Sequence, residues 1–282
     1  MDIQINPMRC IACGRCVRVC PAFVFAAQAP TAQPRAERPT ACIGCGHCVS
    51  VCPVNAVQHA SFPPERLHQV EPGKLPTPDQ LIHLLRTRRS YRNFTTAPVP
   101  RPALEQLVDA ALRAPTARNQ QEVSVTIVDD PQRLQQVIDF TTQVFEQVEK
   151  LAHLPLIGGF ITARRPDIKY IAAFMKRVRA ARQEGRDLIL RQAKAMLLFH
   201  TPEQARFGTE DANLAYQNAS LLAHCLDLGH FYTGFVVAAT RRNPGSLEEI
   251  LAIKGTIRAG MAIGIPEIHY PRYPDRPYPK PS

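Results

Sequence analysis

No apolar run in this 282-residue sequence approaches the roughly 20 residues that a bilayer-crossing helix needs. The opening Met1-Asp2-Ile3-Gln4-Ile5-Asn6-Pro7 has neither the basic n-region nor the apolar h-region of a secretory signal, so a cytoplasmic chain without a membrane partner is expected. No G-x-G-x-x-G follows a candidate strand, and no Walker loop or G-x-S-x-G occurs. Rossmann dinucleotide-binding, NTPase and serine-hydrolase readings thereby lose their main support. Acidic residues are few: 24 Asp and Glu stand against 34 Lys and Arg, a net charge of +10. That balance suits an anionic substrate or partner. Nucleic acid would fit the charge too, but the basic segments lack interleaved aromatics, and no nucleic-acid partner is expected.

Cysteine, by contrast, is abundant and unevenly spread, with eight of nine residues in the first 52 positions. In a chain expected to stay in a reducing compartment, such crowding indicates metal ligation rather than disulfides. The arrangement is an internal repeat: Cys10-x2-Cys13-x2-Cys16-x3-Cys20-Pro21, then Cys42-x2-Cys45-x2-Cys48-x3-Cys52-Pro53. Each spacing lets three thiolates on a tight loop face three irons of one cubane, while the fourth is carried away to the other cluster. One [4Fe-4S] cluster is therefore expected on Cys10, Cys13, Cys16 and Cys52, and a second on Cys42, Cys45, Cys48 and Cys20. Gly14, Gly44 and Gly46 keep the loops close enough for backbone N–H groups to bond the sulfurs. Zinc ribbons pair two cysteines with two distant ones and do not need two complete runs, each closed by proline. Over about residues 5–60 the segment resembles bacterial-type 2[4Fe-4S] ferredoxins. His47 is expected to be an exposed loop residue, and Cys225 a small core residue.

The organisation reads as a ferredoxin-type domain over 1–60, a proline-rich linker over 61–78 and a larger domain over 79–282. Thr77 and Gln80 form a capping box, with Pro78 at the first helical position. Leu104, Leu107, Val108, Ala111 and Leu112 predict a helix over 102–113, and 131–152 is also predicted helical. Strands are predicted over Val123–Val128, Ala195–Phe199, Phe231–Ala238 and Ile257–Ile265. Asp211–Leu228 is predicted as a helix closed by Gly229. The tail from Pro266 reads as an extended arm. Helices mixed with a few strands make this domain α+β.

Four blocks carry a second resemblance, over about residues 79–278. They are Arg88-Arg89-Ser90-Tyr91-Arg92-Asn93-Phe94; Ala114-Pro115-Thr116-Ala117-Arg118-Asn119-Gln120-Gln121; Glu210-Asp211-Ala212-Asn213-Leu214-Ala215 leading to Leu228-Gly229 and Thr233-Gly234; and Ile263-Gly264-Ile265-Pro266 with Arg276. In order and spacing they are similar to the nitroreductase family, in its ferredoxin-fused branch. Glu122, Val123 and Ile265 stand where that family usually has proline, an aromatic and tyrosine. The resemblance implies a central, mostly antiparallel sheet and an FMN at a homodimer interface. It implies that Arg88 and Ser90 hold the phosphate and ribityl chain, with Arg89 also binding the cofactor. Arg92 is implied near the N1/O2 edge, where positive charge favours the anionic reduced flavin. Asn119 is implied on the pyrimidine ring, the backbone N–H groups of Thr233 and Gly234 toward N5 and O4, and Arg276 on the phosphate.

No residue stands out as a proton donor; Asp211 and Glu210 read as helix-start carboxylates. Phe145, Phe160, Tyr170 and Phe174 suit either a substrate pocket or the core. The expected function is an FMN-dependent oxidoreductase that receives electrons through the two clusters from a low-potential donor such as a ferredoxin or flavodoxin. Its acceptor is expected to be a nitroaromatic, quinone or activated alkene. A dehydrogenase running in reverse into a ferredoxin pool stays open, as does a non-catalytic electron-transfer subunit. The stretch from Arg164 to Lys194, with ten Lys/Arg and three acidic residues, reads equally as a docking face for an acidic donor or a solvated helix face.

A charge-assisted hydrogen bond to phosphate is worth about 1.5–3 kcal/mol, or at least roughly tenfold in affinity. Arg276→Ala should therefore release FMN on dilution while iron content stays normal, as measured by flavin fluorescence and iron assay; an unchanged FMN affinity would make the tail a mere surface arm.

Overall fold

The structure is a computed structural model in which residues 2–29, 32–155 and 158–276 are described, so the end of the predicted arm lies outside the described residues. The chain divides into one unit of Met1–Leu75 with Arg118–Gln120 and another of Pro76–Ala117 with Gln121–Ser282. Among the described residues no helix is long and apolar enough to cross a membrane.

The first unit contains β1 (Ile3–Ile5), α1 (Arg15–Val19), β2 (Phe25–Ala26), β3 (Arg35–Ala36), α2 (His47–Ser50) and β4 (Val57–His59). β1 pairs antiparallel with β4, placing Ile3 opposite His59, and β2 pairs antiparallel with β3. Each cysteine loop enters its helix through a left-handed glycine, Gly14 at φ 65 and Gly46 at φ 75, a conformation that costs a side-chain-bearing residue strain. At Gly46 a Cβ would also meet the Phe62 ring at 3.3 Å. Ile3, Val24, Phe25, Val49 and Val57 form the small core, and Phe62 and Leu67 pack against it. Those two contacts draw the first part of the expected linker into this unit, which runs to Leu75.

The second unit begins with α3 (Pro78–Thr87) and α4 (Arg101–Leu112). The α3 capping box is complete: Gln80 N–H donates to Thr77 Oγ1 at 3.3 Å, and Thr77 N–H donates to Gln80 Oε1 at 2.9 Å. Next come β5 (Ser124–Val128), α5 (Pro131–Ala152), α6 (Gly158–Arg164), α7 (Pro166–Gln183), β6 (Ala195–Thr201), α8 (Gly208–Cys225), β7 (Gly229–Tyr232), α9 (Gly234–Arg242), α10 (Ser246–Ile250) and β8 (Thr256–Gly264). The strands form an antiparallel sheet in the order β5-β6-β8-β7. β6 is buried along its whole length because both faces are covered. Met196 and Leu198 meet residues of α5, α7 and α9, while Leu197 and Phe199 meet those of α4 and α8.

Three expectations are corrected. The strand predicted over Phe231–Ala238 ends at Tyr232 and gives way to α9, because Val236, Val237, Ala239 and Thr240 are buried at helical spacing. α8 is not closed by Gly229. Asp227 takes the left-handed turn at φ 54, and Leu228 N–H donates to the Ala223 carbonyl at 2.8 Å, a Schellman ending. Cys225 is exposed, since it lies two residues beyond Ala223 and so off the buried face of α8.

Gly229 and Gly264 have another use, as the seat of the Arg88–Phe94 segment. A Cβ on Gly229 would stand 3.0 Å from both Phe94 and Tyr91, and one on Gly264 would stand 2.7 Å from the Phe94 ring. Tyr91 N–H donates to the His230 carbonyl at 2.9 Å, Phe94 bridges Pro266, and Phe94 stacks on Phe231 with centroids 6.2 Å apart. Gly264→Ala should force Phe94 out of place and lower stability by about 1–3 kcal/mol, the usual cost of overpacking. Thermal unfolding measures this, with Gly73→Ala as a control, since nothing lies within 4 Å of a Cβ there.

Candidate metal centres and cofactor site

The eight clustered cysteines surround two small cavities in the first unit. One is lined by Cys10, Cys13, Cys16 and Cys52, the other by Cys20, Cys42, Cys45 and Cys48. Each cavity thus takes three thiols from one loop and the fourth from the other repeat. Amide donors already point at three sulfurs: Val24 N–H to Cys20 Sγ at 3.3 Å, Gly44 N–H to Cys42 Sγ at 3.3 Å and Ala56 N–H to Cys52 Sγ at 3.1 Å. Such donors stabilise thiolate charge. Burial pushes the Cys16 thiol up and the Cys48 thiol up to about 11. Burial would raise Cys52 as well, but backbone donors led by Ala56 hold it below its ordinary value. His47 is exposed, as expected, but it opens α2 and does not lie in the loop.

In the second unit the notable feature is cations without counterions. Among the described residues, the ion pairs include none of Arg88, Arg89, Arg92 or Arg191. Arg89 Nη1 donates to the Arg88 carbonyl at 3.2 Å, but its buried Nη2 has no hydrogen-bond partner among the described residues. Burial, then the neighbouring Arg92, pulls the Arg191 pKa below its ordinary value. Arg92 lies 5.9 Å over the Phe231 ring. Arg92 and Arg191 share a cavity of about 390 Å³ with Tyr232, Thr233, Gly234 and the apolar walls of Phe145, Tyr170, Ile171 and Phe235. Arg92 and Arg191 on one cavity, and the orphaned Arg89 nitrogen on the same segment as Arg92, fit a bound anion, because a guanidinium fork offers phosphate two charge-assisted bonds.

A 4Fe-4S dicluster domain matches residues 2–53, and the model of the nitroreductase family matches residues 85–265. The chain belongs to the nitroreductase family. It is 27% identical over 192 residues to the FMN reductase [NAD(P)H] of Bacillus subtilis (strain 168), covering 67% of this chain and 66% of that protein. It is 24% identical over 193 residues to an NADPH-dependent oxidoreductase of Staphylococcus saprophyticus, with the same coverage. The chain thus spans about two thirds of the length of these curated relatives. The crystal structure of a nitroreductase with bound FMN from Bacteroides fragilis superposes with a TM-score of 0.53 at 13% identity, covering 72% of this chain and 97% of that one, which shows a shared fold.

Within this nitroreductase-family unit, Arg88, Arg89, Ser90 and Arg92 follow α3 on the segment seated by Gly229 and Gly264. Thr233 N–H is already donated to the Gly260 carbonyl at 2.9 Å, whereas Gly234 opens α9, where an N–H has no helical acceptor. Asn119 lies in the short segment that clusters with the first unit, and its Nδ2 donates to the carbonyls of Ile43 and Gly44 at 3.1 and 2.9 Å. Arg276 is exposed. Asp211 sits in the first turn of α8 and also accepts from Ala117 N–H at 3.1 Å. Phe145 and Tyr170 line the cavity, Phe174 is buried against Phe235 with centroids 3.9 Å apart, and Phe160 is exposed. Arg191 went unmarked in the sequence because it sits within the basic stretch and has no motif of its own. Of that stretch, Arg165, Arg179, Arg182 and Arg186 pair with carboxylates, which reduces its free charge.

The crossed lining of the two cavities generates a direct test. Cys20→Ser should damage the cluster of the second loop and Cys52→Ser that of the first, read by Mössbauer and EPR spectra of the two variants. Damage confined to the cluster of the mutated motif's own loop would reverse the assignment.

Proposed function

We propose that the chain is an FMN- and iron–sulfur-dependent oxidoreductase that takes electrons through two [4Fe-4S] clusters and reduces a small acceptor such as a nitroaromatic, quinone or activated alkene. One observation carries this reading: a single chain holds two crossed four-cysteine cavities and, in its second unit, a cavity lined by Arg92 and Arg191, neither of which is in an ion pair among the described residues. FMN, when bound, supplies the exchange between single electrons and a hydride. Arg88, Arg89 and Ser90 bind its phosphate and ribityl chain, and Arg276 closes on the phosphate. Arg92, with Arg191 beside it, keeps positive charge where the reduced ring is anionic. Gly234 N–H is the backbone donor left for the ring. The walls of Phe145, Tyr170, Ile171 and Phe235 exclude water from the acceptor and favour a flat apolar one. His230 is held neutral, its pKa lowered to about 4 by burial, so it adds no cation and no ready proton. Tyr216 is raised to about 12, again by burial, and is an equally poor acid. Protons therefore come from solvent. The working form is a homodimer, as the family resemblance suggests, in the cytoplasm and fed by a ferredoxin or flavodoxin.

The names of the curated relatives carry NAD(P)H, which makes the choice of reductant the decisive experiment. A low-potential one-electron donor should bleach the iron–sulfur and flavin absorbance of the purified protein and support acceptor turnover, while NADH and NADPH act poorly. Reduction by NADPH at the rate of the one-electron donor would sink the proposed route through the clusters.

A further inference from the structure

The first unit repeats with an offset of 32 residues, since Cys10 maps to Cys42 and Cys20 to Cys52. The same offset carries His59 back to Ala27, so the two halves differ in side-chain chemistry at this position. His59 closes β4 opposite Ile3 and is only 5% exposed. Its ring lies against Phe62, with centroids 5.0 Å apart, and Phe62 in turn covers Gly46 of the second cysteine loop.

The tautomer follows from the ring's two neighbours. Ser61 N–H donates to His59 Nδ1 at 3.1 Å, and a nitrogen that accepts a backbone hydrogen bond carries no proton. The proton is therefore on Nε2, which stands 3.5 Å from Cys42 Sγ. A buried N–H dipole thus points at one ligand of the cavity lined by Cys20, Cys42, Cys45 and Cys48. By the sequence offset the counterpart of His59 is Ala27, which has no side-chain donor to offer, and among the described residues no histidine lines the other cavity.

We infer that His59 is a positioning residue for electrons: its Nε2–H, bonded to Cys42 Sγ, makes the two clusters unequal, so that the cluster on Cys20, Cys42, Cys45 and Cys48 is reduced first. Each one-electron reduction adds negative charge to a cluster, and a hydrogen bond to a ligand sulfur stabilises the reduced form more than the oxidised one. The inference rests on reading those four cysteines as the ligands of one cluster.

The test is an EPR-monitored potentiometric titration of the whole protein and of His59→Ala and His59→Gln. Wild type should show two separate one-electron steps. His59→Ala should weaken reduction at the upper step about tenfold, equal to about 59 mV for one electron, and leave the lower step in place. His59→Gln, whose side-chain amide can return an N–H to the same sulfur, should restore most of the difference. Should His59→Ala lose iron, His59→Met, of similar bulk and without a donor, replaces it under the same expectation. An upper step that stays put in an iron-replete variant, or a shift in the lower step, overturns the role of His59 and leaves the ligand assignment intact. A wild type without two four-iron clusters overturns both.

Discussion

The first unit depends on one constraint: neither repeat lines a four-cysteine cavity by itself. Cys20 is built into the first half but faces the second loop's thiols, and Cys52 does the reverse. A small chain can bury little apolar surface, and the core here amounts to a few side chains such as Ile3, Val24, Phe25, Val49 and Val57. The proposed cross-ligation would supply what that core lacks, because separating the halves would then break ligand bonds to both clusters at once. The short antiparallel pairs β1–β4 and β2–β3 and the left-handed turns at Gly14 and Gly46 hold the loops that line these cavities.

The second unit meets the opposite problem, keeping cations together. Its sheet is covered on both faces, and the Arg88–Phe94 segment is fixed to it by Phe94 lying over Gly264 and Gly229. This seating is rigid because no side chain larger than hydrogen fits beneath the ring. Arg89 can consequently keep a buried, unpartnered Nη2, and Arg191 can stay near Arg92 although burial and that neighbour both disfavour its charge. Without an anion such an arrangement is unfavourable, and packing that cannot relax is what preserves it.

How much of this could be read from the sequence depended on whether the cause was local. The cysteine spacing, the Thr77–Gln80 capping box and the apolar run at Ala195–Phe199 act within a few residues, and the structure has all three. Val236 and Val237 misled because adjacent β-branched residues suit a strand, while the packing of α9 decides for a helix. Gly229 was read as a helix cap, yet its lack of a side chain serves Phe94, more than 130 positions earlier in the chain. Arg191 and His59 belong to no motif. Each acquires its meaning from a contact across the fold, with Arg92 in one case and Cys42 in the other.

Both sites are also assembled against their own electrostatics, and this couples loading to stability. Burial raises the Cys48 thiol to about 11, so near neutral pH it holds its proton until a metal displaces it. Iron binding therefore releases protons and converts buried thiols that resist ionisation into ligands whose charge is neutralised on the spot. The arginine cluster works with the reverse sign, since an anion relieves repulsion that the folded chain otherwise bears. Each group stabilises the fold that holds it, because neither has a comparable site in the unfolded chain.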